Sequence, residues 1–288
     1  MIDIEKSPKQ ITEQIISRIK MDNKSVFGVY GLGVMGASLS LNIADKGYEL
    51  SVYNRAEGEE KEVVSDFLRE NVAYSNLHGF TDLSDFVESI ARPRQILLMI
   101  KAGKVVDIVM DQLLPLLSEG DVIIDGGNSH FTDTQRRSEY AGAHGIGFIG
   151  AGVSGGEEGA RKGPSIMPGG NKEDYMKVAP VLEAIAARDA SGNSCCSYVG
   201  PDGSGHFIKM VHNGIEYVEM QLLAELYALL RLEKSNEEIA RIFEVWNEGS
   251  PSSYLLGITV QILRKKEGDH YLLDRVLDRA GNKGTGSW

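Results

Sequence analysis

The stretch Val26-Phe-Gly-Val-Tyr30-Gly31-Leu32-Gly33-Val34-Met35-Gly36 decides the fold. Its first five residues form a short, mostly apolar run that reads as a buried strand. The three glycines then allow a tight turn into a helix predicted to run through about Lys46, and Tyr48 to Tyr53 reads as the next strand. Glycines in such a turn let a pyrophosphate approach the positive end of the helix. A glycine-rich turn can also serve packing alone. The placement inside a strand, turn, helix, strand unit favours the dinucleotide reading.

Working outward, further apolar runs read as strands over Gln95 to Ile100, Val122 to Asp125, Gly147 to Ile149, Ser165 to Pro168 and Cys196 to Val199. Alternation with helical stretches predicts a parallel sheet covered on both faces, an α/β Rossmann-like domain over residues 25–202. After Gly200-Pro201-Asp202-Gly203 a long helical periodicity begins and no strand is expected, so residues 203–288 read as the first part of an all-α domain. Residues 1–24 form an N-terminal extension in which Ile11, Ile15, Ile16 and Ile19 fall at helical spacing, although Met21 is an alternative start.

The second strand ends at Asn54-Arg55-Ala56, where an NAD enzyme would place an acidic residue on the ribose 2'-hydroxyl. A guanidinium instead matches a 2'-phosphate in charge and fork geometry, which points to NADP. The plainer alternative is an exposed loop arginine paired with Glu57.

Composition narrows the partners. The formal charge of -11 and the lack of Lys/Arg clusters argue against nucleic acid or an anionic membrane surface. No apolar run reaches the roughly 18 residues of a membrane span. Cys195 and Cys196 are adjacent and read as reduced, so a cytoplasmic location is expected. No His/Cys/Asp cluster has convincing metal-ligand spacing.

Chemistry concentrates on the helix after Gly205. At about 100° per residue, Lys209, Asn213, Glu216 and Met220 fall within roughly 60° of one another, flanked by His212 and Tyr217. Ile208, Val211, Ile215, Val218, Leu222, Leu226 and Leu229 fall on the other side. One reading is a solvated polar face. The other is a catalytic strip on a buried helix, favoured by the Leu-rich continuation and by the poor helix formers Asn213 and Gly214. A buried lysine in its neutral form can take a hydroxyl proton, and a protonated glutamate can return one to carbon. The run Gly150 to Gly159 reads as a glycine-rich loop that offers N–H groups and the Ser154 hydroxyl to an anion. Asn128 follows a strand, where open α/β sheets bind ligands.

Together, Gly31 to Gly36, Asn54-Arg55, Ile100-Lys-Ala-Gly103, Ile124-Asp-Gly-Gly-Asn-Ser129, Gly152-Val-Ser-Gly-Gly-Glu-Glu-Gly-Ala-Arg161, Gly163-Pro-Ser-Ile-Met-Pro-Gly-Gly170, Lys209-Met-Val-His-Asn-Gly-Ile-Glu-Tyr217 and Lys283-Gly-Thr-Gly286 resemble the decarboxylating 6-phosphogluconate dehydrogenase family. The resemblance implies NADP-linked oxidative decarboxylation of 6-phospho-D-gluconate to D-ribulose 5-phosphate and CO2. It implies Lys209 as base and later acid, and Glu216 as acid. Asn128, Ser154, Gly155, Gly156, His212, Asn213, Tyr217 and Lys283 match substrate positions. Gly31, Leu32, Gly33, Val34, Met35, Gly36, Asn54, Arg55, Ala56, Ile100, Lys101, Ala102 and Asn128 match cofactor positions.

Gly33, Ala56 and Ser287 depart from the family's usual Ala, Thr and Lys. The resemblance also implies a homodimer for long-form members, whose further C-terminal part supplies an Arg to the substrate phosphate and an Arg and a His to the neighbouring subunit's site. Without that part, the phosphate pocket is expected to be incomplete and apolar helix faces to be exposed. The expectation is a fragment, or a short form with altered activity. The alternatives are an NADP-binding chain impaired in catalysis and a related 3-hydroxy acid dehydrogenase.

Overall fold

The computed structural model describes residues 24–277. The expected helix in residues 1–24 therefore lies outside the described residues, apart from Lys24 itself. The chain divides into two compact units between Lys209 and Met210.

The first unit is built on a seven-stranded sheet: β1 (Phe27–Tyr30), β2 (Leu50–Tyr53), β3 (Leu77–Phe80), β4 (Gln95–Leu98), β5 (Val122–Asp125), β6 (Gly147–Ser154) and β7 (Ser165–Gly170). The order is β3-β2-β1-β4-β5-β6-β7. β1 to β6 run parallel, and β7 pairs with β6 antiparallel from Ile149↔Gly170 to Ser154↔Ser165. The all-parallel expectation is thus corrected at this edge, because only a short helix separates β6 from β7 and the chain reverses beside its own strand. β3 is an addition: in Leu77-His-Gly-Phe80 only Leu77 is buried, the other three are half-buried, and there is no long apolar run.

Helices cover both faces. α1 (Val34–Asp45), α2 (Val63–Glu70), α6 (Gly156–Lys162) and α7 (Lys172–Ile185) belong to one core with Leu39, Ile43, Phe67, Val178 and Leu182. α3 (Leu83–Glu88), α4 (Lys104–Leu113) and α5 (Phe131–Gly142) belong to the other with Phe86, Val106, Met110 and Ala141. Covering both faces is why β1, β2 and β5 are buried at every position rather than alternately.

Two further sequence expectations change. No strand forms over Cys196 to Val199; the chain meets β7 through the isolated Ile166↔Cys196 bridge, the Val199 N–H to the Pro168 carbonyl at 3.0 Å and the Tyr198 hydroxyl to the Gly170 carbonyl at 2.8 Å. Both cysteines are free, and burial pushes the Cys196 thiol up to about 12. The glycine-rich run after Gly150 is not one loop, because β6 extends to Ser154 and α6 begins at Gly156.

Helix α8 (Ser204–Leu230) runs from the first unit into the second. The second unit adds α9 (Asn236–Asn247) and α10 (Tyr254–Arg264), which share a core of Ile239, Phe243, Leu256, Val260 and Leu263. A capping box at Ser235 and Glu238 starts α9, and the Ser253 hydroxyl accepts the Leu256 N–H to start α10. Among the described residues the all-α expectation is amended only by a small hairpin, β8 (Lys266–Glu267) with β9 (His270–Tyr271). Among the described residues no helix is long and apolar enough to cross a membrane.

Candidate active site

The glycine turn has the geometry a dinucleotide phosphate needs. Gly31 adopts φ 101°, and a side chain there would press within 2.6 Å of the Met99 carbonyl oxygen. A methyl group at Gly36 would overlap the Gly31 carbonyl. Gly33 instead meets nothing within 4 Å and caps α1 without a side-chain acceptor, so first-turn N–H groups remain for an anion. These residues open on a cavity of about 280 Å3 lined by Gly33, Val34, Met35, Gly36, Met99, Ile100, Gly126, Gly127, Asn128 and Val153.

A second cavity of about 770 Å3 lies at the ends of β1 and β2, and its walls include Tyr30, Gly31, Leu32, Asn54, Arg55, Glu57, Glu60, Ile100 and Lys101. Ala56 is exposed and Ala102 half-buried. Buried Asn54 accepts the Leu32 N–H through Oδ1 at 3.0 Å and donates to Glu60 Oε2 at 2.9 Å, tying the glycine turn to the end of β2. Arg55 is exposed, but its ion-pair partner is Glu60 at 2.7 Å rather than Glu57.

A buried polar network that sequence reading missed sets the loop carrying Asn128. Asp125 accepts the Gly127 N–H at 3.1 Å and the Ser129 hydroxyl at 2.6 Å. Arg137, fully buried, lies 3.5 Å from Asp125 and donates to Asp107 at 2.8 Å and to the Gly103 carbonyl at 2.9 Å. His206 is buried with Nδ1 2.6 Å from the Thr134 hydroxyl. Burial drives its pKa down and Arg137 adds to that, against the opposing influence of Asp125 and the Gly127 backbone. Spacing could not reveal this network, since its members come from β5, α4, α5 and α8.

Lys209 is buried, with its stem against Gly152 of β6. The helix start is seated backbone on backbone: a side chain at Gly205 would overlap the Gly150 and Met167 carbonyls, and one at Gly169 would overlap the Gly205 nitrogen. Ser154 ends β6 half-buried, and Gly155 and Gly156 follow at φ 130° and 58°, exposed. Farther along α8, in the second unit, His212 Nδ1 lies 3.3 Å from Asn213 Oδ1 and 3.6 Å from Glu216 Oε2. Tyr217 is exposed.

The reading of a buried helix is corrected on the apolar side, where Ile208, Val211, Ile215, Val218, Leu222, Leu226 and Leu229 are all exposed, in line with the expectation of exposed apolar helix faces. Periodicity reports a face and not what covers it. Lys283 lies outside the described residues. Among the described residues no group of three or more His, Cys, Asp or Glu could hold a metal ion.

Residues 26–200 match the family model described as the NAD binding domain of 6-phosphogluconate dehydrogenase, and residues 205–288 match that of the C-terminal domain. The chain belongs to the 6-phosphogluconate dehydrogenase family. Relatives named 6-phosphogluconate dehydrogenase, decarboxylating, are 52% identical in Bacillus licheniformis and 54% in Escherichia coli, each over 269 residues and 92% of this chain. The chain spans only 56% of each of those relatives. A Plasmodium falciparum 6-phosphogluconate dehydrogenase, studied in apo form, with its cofactor NADP+ and with its substrate 6-phosphogluconate, superposes at TM-score 0.83 and 40% identity, covering 91% of this chain and 56% of that one. A Mycobacterium tuberculosis 3-hydroxyisobutyrate dehydrogenase at TM-score 0.64 and 23% identity, covering 81% of this chain and 73% of that one, shares the fold.

Proposed function

We propose that this family member carries the cofactor domain, over residues 25–202, and the acid–base helix of an enzyme that oxidatively decarboxylates 6-phospho-D-gluconate to D-ribulose 5-phosphate and CO2. NADP, when bound, accepts the hydride. The observation that carries the reading is a lysine, Lys209, buried against Gly152 on a helix that also bears Glu216 two turns later.

Gly31 to Gly36 would hold the cofactor pyrophosphate and Arg55 its 2'-phosphate, with Asn54, Ala56, Ile100 to Ala102 and Asn128 around them. Neutral Lys209 takes the hydroxyl proton of the carbon being oxidised and, once charged, stabilises negative charge on the new carbonyl oxygen. Loss of CO2 leaves an enediol, to whose carbon Glu216 delivers a proton. Asn128, Ser154, Gly155, Gly156, His212, Asn213, Tyr217 and Lys283 are the substrate contacts. Homodimerisation and a cytoplasmic location complete the reading.

The test adds NADP and 6-phosphogluconate to the chain, follows NADPH absorbance and traps CO2. Lys209→Met and Glu216→Gln should each lower turnover about 10²- to 10⁴-fold with NADP affinity retained. Full activity in either variant removes that residue's role. NADPH formed without CO2 would replace the decarboxylase with a plain hydroxy-acid dehydrogenase.

A further inference from the structure

The end of β2 holds a charge pair that the cofactor reading does not use. Arg55 donates from Nε and Nη2 to the two oxygens of Glu60 at 3.1 and 2.7 Å. The Asn54 amide donates to the same carboxylate at 2.9 Å. Through Asn54 and the Leu32 N–H, Glu60 is thereby linked to the glycine turn. The Arg55 guanidinium, and after it the Asn54 amide, hold the Glu60 carboxyl below its ordinary range, so it is ionised at neutral pH.

A bidentate pair uses the fork of donors that makes arginine a good phosphate ligand. A 2'-phosphate reaching Arg55 must therefore displace Glu60 or share the guanidinium with a second anion. A free 2'-hydroxyl faces no such conflict, because it can donate to a carboxylate as it does to the acidic residue at this place in NAD enzymes. We propose that Glu60 is a specificity-determining residue: it competes with the 2'-phosphate for Arg55, accepts a hydrogen bond from an unphosphorylated ribose, and so narrows the preference for NADP over NAD. The inference rests on the reading of Arg55 as the 2'-phosphate ligand.

Binding separates the two ideas without recourse to turnover. Dissociation constants for NADP and NAD are measured by calorimetry on the full chain, in the wild type, Glu60→Gln, Arg55→Met and the double variant, with thermal melting to confirm folding. Glu60→Gln should tighten NADP roughly two- to fivefold, the scale of an exposed ion pair, without tightening NAD. In the Arg55→Met background the gain should vanish. An unchanged or smaller NADP preference in Glu60→Gln overturns the competition, as does the same gain with and without Arg55. If Arg55→Met alone leaves the preference unchanged, the ligand reading of Arg55 fails and the proposal falls with it.

Discussion

A methyl group added at Gly205 would overlap the Gly150 carbonyl oxygen, whereas one added at Gly214, farther along the same helix, meets nothing within 4 Å. The first glycine belongs to the turn of α8 seated on β6 and β7, where its missing side chain lets two backbones touch and leaves the Lys209 stem against Gly152. The second lies in a stretch whose apolar neighbours Ile215 and Val218 are 66% and 61% exposed. One helix thus obeys two sets of constraints. Close packing dictates residue size at its start, and farther along local helix propensity governs.

The largest effect should come from closing the gap at the first glycine. Gly205→Ala is expected to destabilise the chain by about 2–3 kcal/mol, read as a lowered urea midpoint. A midpoint equal to wild type would show that the seat yields freely.

A smaller and pH-dependent effect should come from the buried imidazole one turn before Lys209. The folded pKa of His206 lies below its ordinary 6.5. As pH falls through that value, unfolded chains bind a proton that folded chains do not, so stability declines by as much as about 1.4 kcal/mol per pH unit until the folded pKa is reached. His206→Gln removes this contribution. The stability gap between the two proteins should shrink as urea titrations move from pH 7.5 to 5.5, and parallel profiles would argue that His206 does not stay neutral.

At the second glycine the sign should reverse. Gly214→Ala is expected to raise stability by about 0.5–1 kcal/mol, since alanine restricts the unfolded chain and nothing obstructs its methyl group. A loss measured by the same titration would mean that position is as constrained as Gly205.

Much of the first unit was legible in the chain. The strands beginning near Phe27, Leu50, Gln95 and Val122 announce themselves as apolar runs followed by glycine or polar turns, because a sheet covered on both faces buries every residue. The edges were harder. β3 carries a histidine and a glycine in four residues of which only Leu77 is buried, and the direction of β7 depends on the short return through α6 rather than on any property of its own sequence. In the candidate site, the polar residues on α8 follow from helical spacing. Arg55's choice of Glu60 over Glu57 does not, since both are acidic neighbours and only the backbone path over Gly58–Glu60 selects between them.

The sequence by itself determined the glycine turn after β1, the alternation of strand and helix, and the helical spacing of Lys209, Asn213 and Glu216, because each depends on local geometry repeating at a known period. Only the tertiary structure decided that Gly150, Gly152, Gly169 and Gly205 form the seat of that helix, and that Asp125, Arg137 and His206 lie together near the Asn128 loop. Those outcomes depend on which distant segments meet, and a one-dimensional pattern records what a residue can bury without recording against what.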